Sequence, residues 1–517
     1  MSVTAVSAYP PIMTHPDTAV VIGASIGGLL AARALTERYA KVVLVDRDLL
    51  PDEVTARRGV PQGRQLHILL ARGREAFEEL LPGLSQELTR LGVPLIDLHD
   101  QVHWYNDGYR MRRAPSELRA FGISRPLLEH AVRTRVAALP GVSILSGYEV
   151  SGLTVAPGSR RVDGVRVRPR TTGTGAPATE PVTEPVTEPV TERVTAPVID
   201  SVIEPDGESG GETVIGADLV VDAAGRGSRT PVWLRELGYE CAPEEQVRVD
   251  ITYVTRNYRR EAHHLDGLSG VLTNAVPALP RTGIVAAQEE GRFAVVLAGM
   301  LGEEPPTDDE GLARYATSLA APQVGEVVRS AVPLDAPVKM RFPASTRRRY
   351  ERLRSFPDGY LVVGDALCSF NPLYGQGMTV AALEALLLAD LLTRKDDRKG
   401  EGLARRFFRD AARIIDAPWA ISVGTDLRFP QVKGRRTPKV RFVNAYVHRL
   451  HAAATSDPVL GAAFLRVLNL IDAPTRLLAP RIMLRVLRGA SARPPAKTSP
   501  TAREAGTGGR DVHSPAG

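Results

Sequence analysis

The chain has 517 residues, 43% of them hydrophobic, and a formal net charge of +6 at pH 7. At about 150 residues per domain this allows two or three domains, and so mild a charge, with no aromatic-rich basic stripe, argues against a nucleic-acid binder. Two cysteines, Cys241 and Cys368, without a CxxC pair, argue against a metal site or redox dithiol and fit a reducing cytoplasm. No cationic, apolar leader opens the chain, and no apolar run reaches the roughly 18 residues that a membrane-spanning helix needs.

Residues 1–16, with Pro10, Pro11 and Pro16, predict a flexible arm. Residues 19–22 predict a buried parallel strand, 26–39 a helix with Leu29, Leu30, Ala32, Ala34 and Leu35 near helical spacing, and 41–45 a second strand. Residues 61–81 predict a loop feeding a helix. Residues 123–136 predict a strand end and a helix interrupted early by Pro126, and 142–155 and 162–167 predict strands. A four-residue repeat follows in 179–198: TEPV three times, then TERV and TAPV. Proline at that period blocks helix and ladder bonding, so about 171–212 is expected as a disordered or polyproline-like insertion at a hairpin tip. The sheet resumes over 213–221. Residues 236–345 alternate β-like stretches (247–254, 282–287, 293–298) with Gly and Pro turns. Residues 376–395 predict a long apolar helix, 401–489 a helical region, and 490–517 a disordered tail.

Three glycine-centred motifs carry the chemistry. In the first, Gly23 supplies the turn, Ser25 is small enough for the backbone to approach a pyrophosphate, and Gly28 lets the helix pack against the strand. The helix start at Ile26 and Gly27 offers free N–H groups and a positive dipole to phosphates. Asp46 ends the second strand, where its carboxylate can accept the hydroxyls of an adenosine ribose. In the second motif a strand ends at Asp222-Ala223-Ala224-Gly225. Either Asp222 makes turn hydrogen bonds, or the turn lies beside the adenosine and the path to the ring. In the third, Gly364-Asp365 follows a buried strand and suits ribityl hydroxyls. Pro372, Gly375, Gln376, Gly377 and Met378 can wrap a ring, and helix N–H groups from Gln376 onward can stabilise negative charge on it. Together these predict FAD. The expected fold class is α/β with an α+β second domain. Its parts are a Rossmann-like FAD-binding domain in two pieces (17–235 and 346–400), a sheet-rich substrate domain (236–345) and a helical C-terminal region (401–489).

On these motifs the chain resembles the FAD-dependent aromatic-hydroxylase-like monooxygenase superfamily over roughly residues 17–490. In residues 58–67, 222–228 and 370–378 it is similar to bacterial flavin epoxidases acting on polyene intermediates of polyether antibiotics. The resemblance implies that Arg58 and Arg125 face the flavin or its pyrophosphate. It also implies insertion of one oxygen from O2 into a lipophilic substrate through a flavin C4a-hydroperoxide, by epoxidation or ring hydroxylation, in secondary metabolism. The chain departs from the family pattern at Ala224-Gly225, where Asp-Gly is usual, and at Leu367-Cys368, where Ala-His is usual. With no second Rossmann fingerprint, NADPH or NADH is expected to act directly or through a flavin reductase.

Epoxidation needs no side-chain base, and no acid–base pair is assigned; His67 and Tyr374 are the candidates for deprotonating a phenol. The halogenase signature Trp-x-Trp-x-Ile-Pro is absent, since Trp104, Trp233 and Trp419 stand apart. A flavin-dependent reductase or cyclase of an isoprenoid-like substrate is the alternative. Residues 476–488, basic and amphipathic, raise a reading of another class, a membrane-surface binding protein. The substrate pocket is expected from 236–345 and from 95–122.

Overall fold

The computed structural model describes residues 17–170, 212–394 and 402–489. The expected arm (1–16), the tail (490–517) and the repeat-bearing insertion up to residue 211 lie outside the described residues. In chain order the elements begin with β1 (Thr18–Ile22), α1 (Ile26–Leu35), β2 (Lys41–Asp46), β3 (Ile68–Leu69), α2 (Ala71–Leu80), α3 (Leu84–Arg90) and β4 (Leu95–Asp97). Next come β5 (Val102–Asn106), β6 (Tyr109–Arg110), β7 (Arg119–Gly122), α4 (Arg125–Ala137), β8 (Val142–Ser146), β9 (Tyr148–Val155) and β10 (Val162–Pro169). Then follow β11 (Thr213–Gly216), β12 (Leu219–Asp222), α5 (Thr230–Glu236), β13 (Glu244–Arg259), β14 (Gly270–Thr273), β15 (Arg281–Gln288) and β16 (Arg292–Gly299). The remainder is α6 (Asp309–Thr317), α7 (Pro322–Ser330), β17 (Val338–Arg348), β18 (Tyr360–Val362), β19 (Cys368–Ser369), α8 (Gly377–Thr393), α9 (Leu403–Asp426), α10 (Pro438–Ala453), α11 (Pro458–Leu468) and α12 (Pro480–Gly489).

The first sheet is parallel, in the order β18-β12-β1-β2-β8. Its central strands read as apolar runs because both faces are covered, and β1 is buried at every position. Helices α1 and α8 pack on each other, and α8 also meets α2 and α9. Helix α1 ends at Leu35, short of the expected Tyr39, and Thr36–Tyr39 continue as hydrogen-bonded turns. Pro126 does not interrupt α4. It sits in the helix's first turn, where no intrahelical N–H bond is lost, and Ser124 caps that end by accepting from the Leu127 N–H.

The second large sheet has eight strands, in the order β19-β17-β13-β16-β15-β14-β5-β6. Strand β5 pairs parallel with β14, and β19 pairs with the end of β17. So residues 102–110 and 368–369, which the sequence reading set in the FAD-binding part, hydrogen-bond into the sheet of the 236–345 region. Short strands give weak periodicity, and their pairing is decided by partners far away in sequence. Strands β10 and β11, on either side of the insertion, are antiparallel neighbours with Val167 opposite Thr213. Among the described residues no helix is long and apolar enough to cross a membrane.

Candidate active site

All three glycine motifs open onto one cavity of about 820 Å³. Gly23, with φ of 100°, turns the chain after β1. At Gly28 a Cβ would lie 1.8 Å from the Gly23 carbonyl oxygen, so only glycine lets α1 approach this turn. Gly23, Ser25, Ile26, Gly27 and Asp46 line the cavity, whereas Gly28 lies behind the turn, holding it. From the far motif, Gly364, Asp365, Pro372, Gly375, Gln376, Gly377 and Met378 line the same cavity, and so does Arg125.

Arg58 does not. It is exposed, while its neighbour Arg57 is buried and reaches the cavity wall. The charges around them decide this. Arg57 Nε lies 2.6 Å from Glu129 Oε1, its Nη1 lies 3.2 Å from Asp46 and 3.5 Å from Asp48, and its Nη2 donates to the Ala24 carbonyl. Three carboxylates in one buried pocket demand a cation, and the guanidinium's fork of donors serves all three. Asp46 also accepts the N–H of Ala24 at 2.7 Å and that of Asp48 at 2.9 Å, which ties the end of β2 to the first glycine turn. Glu129, unnoticed in the sequence, accepts from Ser25 Oγ at 2.9 Å as well.

Arg125 is buried, and its Nη2 donates to Ser25 Oγ at 2.7 Å. Asp365 is enclosed by protein but accessible from within the cavity. That enclosure pushes its carboxyl up, and the nearby charges of Arg226 and Arg125 pull it back down. Arg226, within the 222–228 turn, lines the cavity and stacks over the Phe342 ring. Asp222 makes the turn hydrogen bonds that were one of its two readings: it accepts from the Ala224 N–H at 2.8 Å and the Ser228 hydroxyl at 2.6 Å. Behind the third motif, Glu384 of α8 is fully buried and accepts the Gly364 N–H at 2.6 Å. Burial, with Asp365 nearby, raises its carboxyl to about 8, against the lowering effect of the Gly364 hydrogen bond.

The two candidate bases differ from each other in their surroundings. His67 lines the cavity, its Nδ1–H donating to the Gln65 carbonyl at 2.9 Å, and burial with Arg125 close by lowers it to about 4. The Tyr374 hydroxyl donates to Asp426 Oδ1 at 3.0 Å, and burial drives it well above the usual phenol range, so it keeps its proton. Asn371 donates to the same carboxylate oxygen, and burial lifts Asp426 to about 7.

The rest of the cavity is mainly apolar. Val271, Leu272 and Ile284 come from the eight-stranded sheet, and Ile96, Leu98 and Trp104 from the 95–122 region. The C-terminal helices add Tyr446, Val447 and Phe464, a contribution the sequence reading did not anticipate.

The sequence model of the squalene epoxidase family matches residues 271–406. The structure of flavin-dependent brominase Bmp2 superposes with a TM-score of 0.59 at 13% identity, over 92% of this chain and 98% of that one. That of 2-methyl-3-hydroxypyridine-5-carboxylic acid oxygenase superposes with a TM-score of 0.54 at 18% identity, over 78% and 90%. The chain shares the fold of both structures, and residues 271–406 match the squalene epoxidase family. More narrowly, it belongs to one family with Protein Rv3254 of Mycobacterium tuberculosis (strain ATCC 25618 / H37Rv), with which it is 33% identical over 467 residues, 88% of this chain and 90% of that protein.

The cavity's own features fit FAD. A Cβ built on Gly27 or Gly364 would meet nothing within 4 Å, so both turns leave open space in front of the backbone. The N-termini of α1 and α8 lack side-chain caps, and residues of both first turns line the cavity. Uncapped N–H groups with a positive dipole suit a pyrophosphate at one end and an electron-rich ring edge at the other.

Proposed function

We propose that this chain is an FAD-dependent monooxygenase that transfers one oxygen atom from O2 to a lipophilic small molecule, by epoxidation or ring hydroxylation. The observation that carries this is continuity: one cavity joins both flavin-type helix N-termini to an apolar chamber between the eight-stranded sheet and the C-terminal helices. Bound FAD would supply the activation of O2. Ser25, Gly27 and the α1 N-terminus would hold its pyrophosphate, with Arg125 as counter-charge. Asp46 and Asp365 would accept its ribose and ribityl hydroxyls. The N–H groups at the start of α8 would stabilise negative charge on its ring. The apolar walls would hold the substrate and exclude water. Electrons would come from NADPH or NADH, directly or through a reductase.

The test is the visible spectrum of the purified protein together with NADPH and NADH oxidation and oxygen uptake, with lipophilic alkenes and phenols offered as substrates. Bound flavin with substrate-stimulated oxygen uptake is expected. Bound flavin with coenzyme or substrate turnover but no oxygen uptake would favour a reductase or cyclase. No flavin after addition of FAD would end the proposal.

A peripheral membrane contact is favoured by where the cavity's rim lies. Val443 and Leu478 line the cavity and are themselves exposed. Beside them are exposed Phe442 on α10 and Leu484 and Leu487 on α12, with Arg476, Arg481 and Arg488 close by in sequence. An apolar rim with cations around it suits an anionic lipid surface.

A further inference from the structure

The exposed lining residues Lys439, Val443 and Leu478 mark a mouth of the cavity beside α10. Lys439, Val443, Val447 and His451 line the cavity at steps of four residues, which places them along one side of that helix. Lys439 and Val443 are exposed, Val447 is half-buried and His451 is buried, so the stripe runs inward from the mouth over about 18 Å of helix. At its inner end His451 stands edge-on to Phe464 of α11, with centroids 4.7 Å apart. The last residue of α11, Leu468, accepts from Gln376 Nε2 at 3.1 Å, and Gln376 caps the start of α8, where the function proposed above places the flavin ring. The stripe therefore leads from solvent to the ring end of the flavin site.

Lys439 heads the stripe, and its ammonium has no hydrogen bond or ion pair among the described residues. Asp107, the carboxylate that lines this wall, is taken up elsewhere: its Oδ2 lies 2.8 Å from His451 Nδ1 and 3.2 Å from His448 Nδ1, and Arg428 holds its Oδ1. Residues 433–489 hold eleven lysines and arginines against two carboxylates, an excess of nine in a chain whose net charge is +6. Both carboxylates are already paired, Asp457 with Arg485 at 2.7 Å and Asp472 with Arg466 at 2.8 Å. A cleft whose charges have one sign focuses the field and draws in the opposite charge. An uncharged substrate would gain nothing from an unpaired ammonium at the entrance.

We propose that the substrate is an amphiphile whose anionic head group rests on the Lys439 ammonium at the mouth, while its apolar chain or ring system runs inward along Val443 and Val447. This rests on the monooxygenase reading above and names its substrate class. The ammonium is a compact charge with three donors, suited to a carboxylate or a phosphate. It stays in water, so the head group keeps much of its hydration and the apolar body supplies most of the binding. Head group and reacting carbon then lie at opposite ends of the cavity, and oxygen is delivered to a carbon remote from the anionic group. The same charge on a lipid headgroup would be drawn to the surface of this region as a whole, whereas a substrate head group depends on Lys439 itself.

The test measures, by titration calorimetry without lipid vesicles, how tightly the FAD-loaded full chain binds dodecanoate and dodecylammonium, each below its micelle concentration. The two probes share a chain and differ in the sign of the head. Dodecanoate is expected to bind about tenfold or more tighter to the wild type. Lys439→Gln should shrink that ratio about fivefold, and Lys439→Arg should keep it. Arg441 is exposed in the same turn of α10 but does not line the cavity, so Arg441→Gln removes an equal charge from the surface alone and should leave the ratio within about twofold. Equal affinities in the wild type, no binding of either probe, or a ratio that falls equally in Lys439→Gln and Arg441→Gln overturns the proposal, the last because it assigns the preference to the surface field that a lipid headgroup feels. A protein that takes up no FAD strikes instead at the function proposed above, and the flavin spectrum of the same sample tells the two failures apart.

Discussion

At the scale of single residues, the difference between Arg57 and Arg58 is the sharpest. The two are adjacent and chemically identical, and only the arrangement of Asp46, Asp48 and Glu129 decides which one is drawn inside. Removing one member of a buried charge cluster leaves the others uncompensated, at a cost of about 3–5 kcal/mol. Arg57→Met is therefore expected to lower stability by about that much in urea unfolding and to reduce retained FAD. Arg58→Ala, at an exposed position, should stay within about 0.5 kcal/mol of wild type. Equal effects from the two substitutions would show that the carboxylates find another counter-charge. Glu129 was not legible in the sequence, because a buried partner on a different element leaves no local pattern, whereas Arg226 lay inside the 222–228 turn without a role of its own.

At the scale of elements, the joint between β18 and α8 is the informative one. Its turn, Gly364-Asp365, was readable because strand, glycine and helix follow one another in sequence. The acid beneath it was not, since Glu384 falls in the middle of an apolar helix and looks like an ordinary helical residue. Its burial makes stability depend on pH in a defined direction. The folded state keeps the Glu384 proton up to about 8, whereas the unfolded chain releases it near the ordinary carboxyl value of 4.5. Between those two values the native state binds more protons, so stability falls as pH rises, at no more than about 1.4 kcal/mol per pH unit. Glu384→Gln keeps the size but does not titrate. The stability difference between wild type and variant should be steady at acid pH, move against the wild type through the neutral range, and level off above pH about 8. A flat difference would mean that the carboxyl is ionised in the fold. Strand periodicity likewise identified β13, β15 and β16. It did not show that β5 and β6 join them, because that pairing is parallel to β14 and far away in sequence.

At the scale of the whole molecule, the cavity is closed by helices that the sequence reading described only as a helical region. Their amphipathic faces carry no code for what they cover, so the cavity wall they form was not visible before the fold was. The same helices form the exposed apolar rim, which gives a prediction about location. Co-sedimentation with vesicles rich in anionic lipid is expected to fall to near background in a Leu484→Ser, Leu487→Ser double variant, because each substitution removes about 2 kcal/mol of apolar burial in the lipid interface. Its flavin spectrum should be unchanged. Equal sedimentation of both proteins, or none of either, would remove the membrane contact from the proposal.

The pairing of Asp107 with His451 spans 344 positions of the chain, and the order of synthesis gives it a consequence. The nucleotide-binding strands and most of the eight-stranded sheet leave the ribosome well before α10 and α11 exist. Until those helices dock, the apolar chamber is an open trough in a growing chain. Contacts of such long range form late and slowly, and the intermediate exposes a surface prone to aggregation. Translation of this protein therefore passes through a stage in which the apolar lining of its future cavity lies open to water.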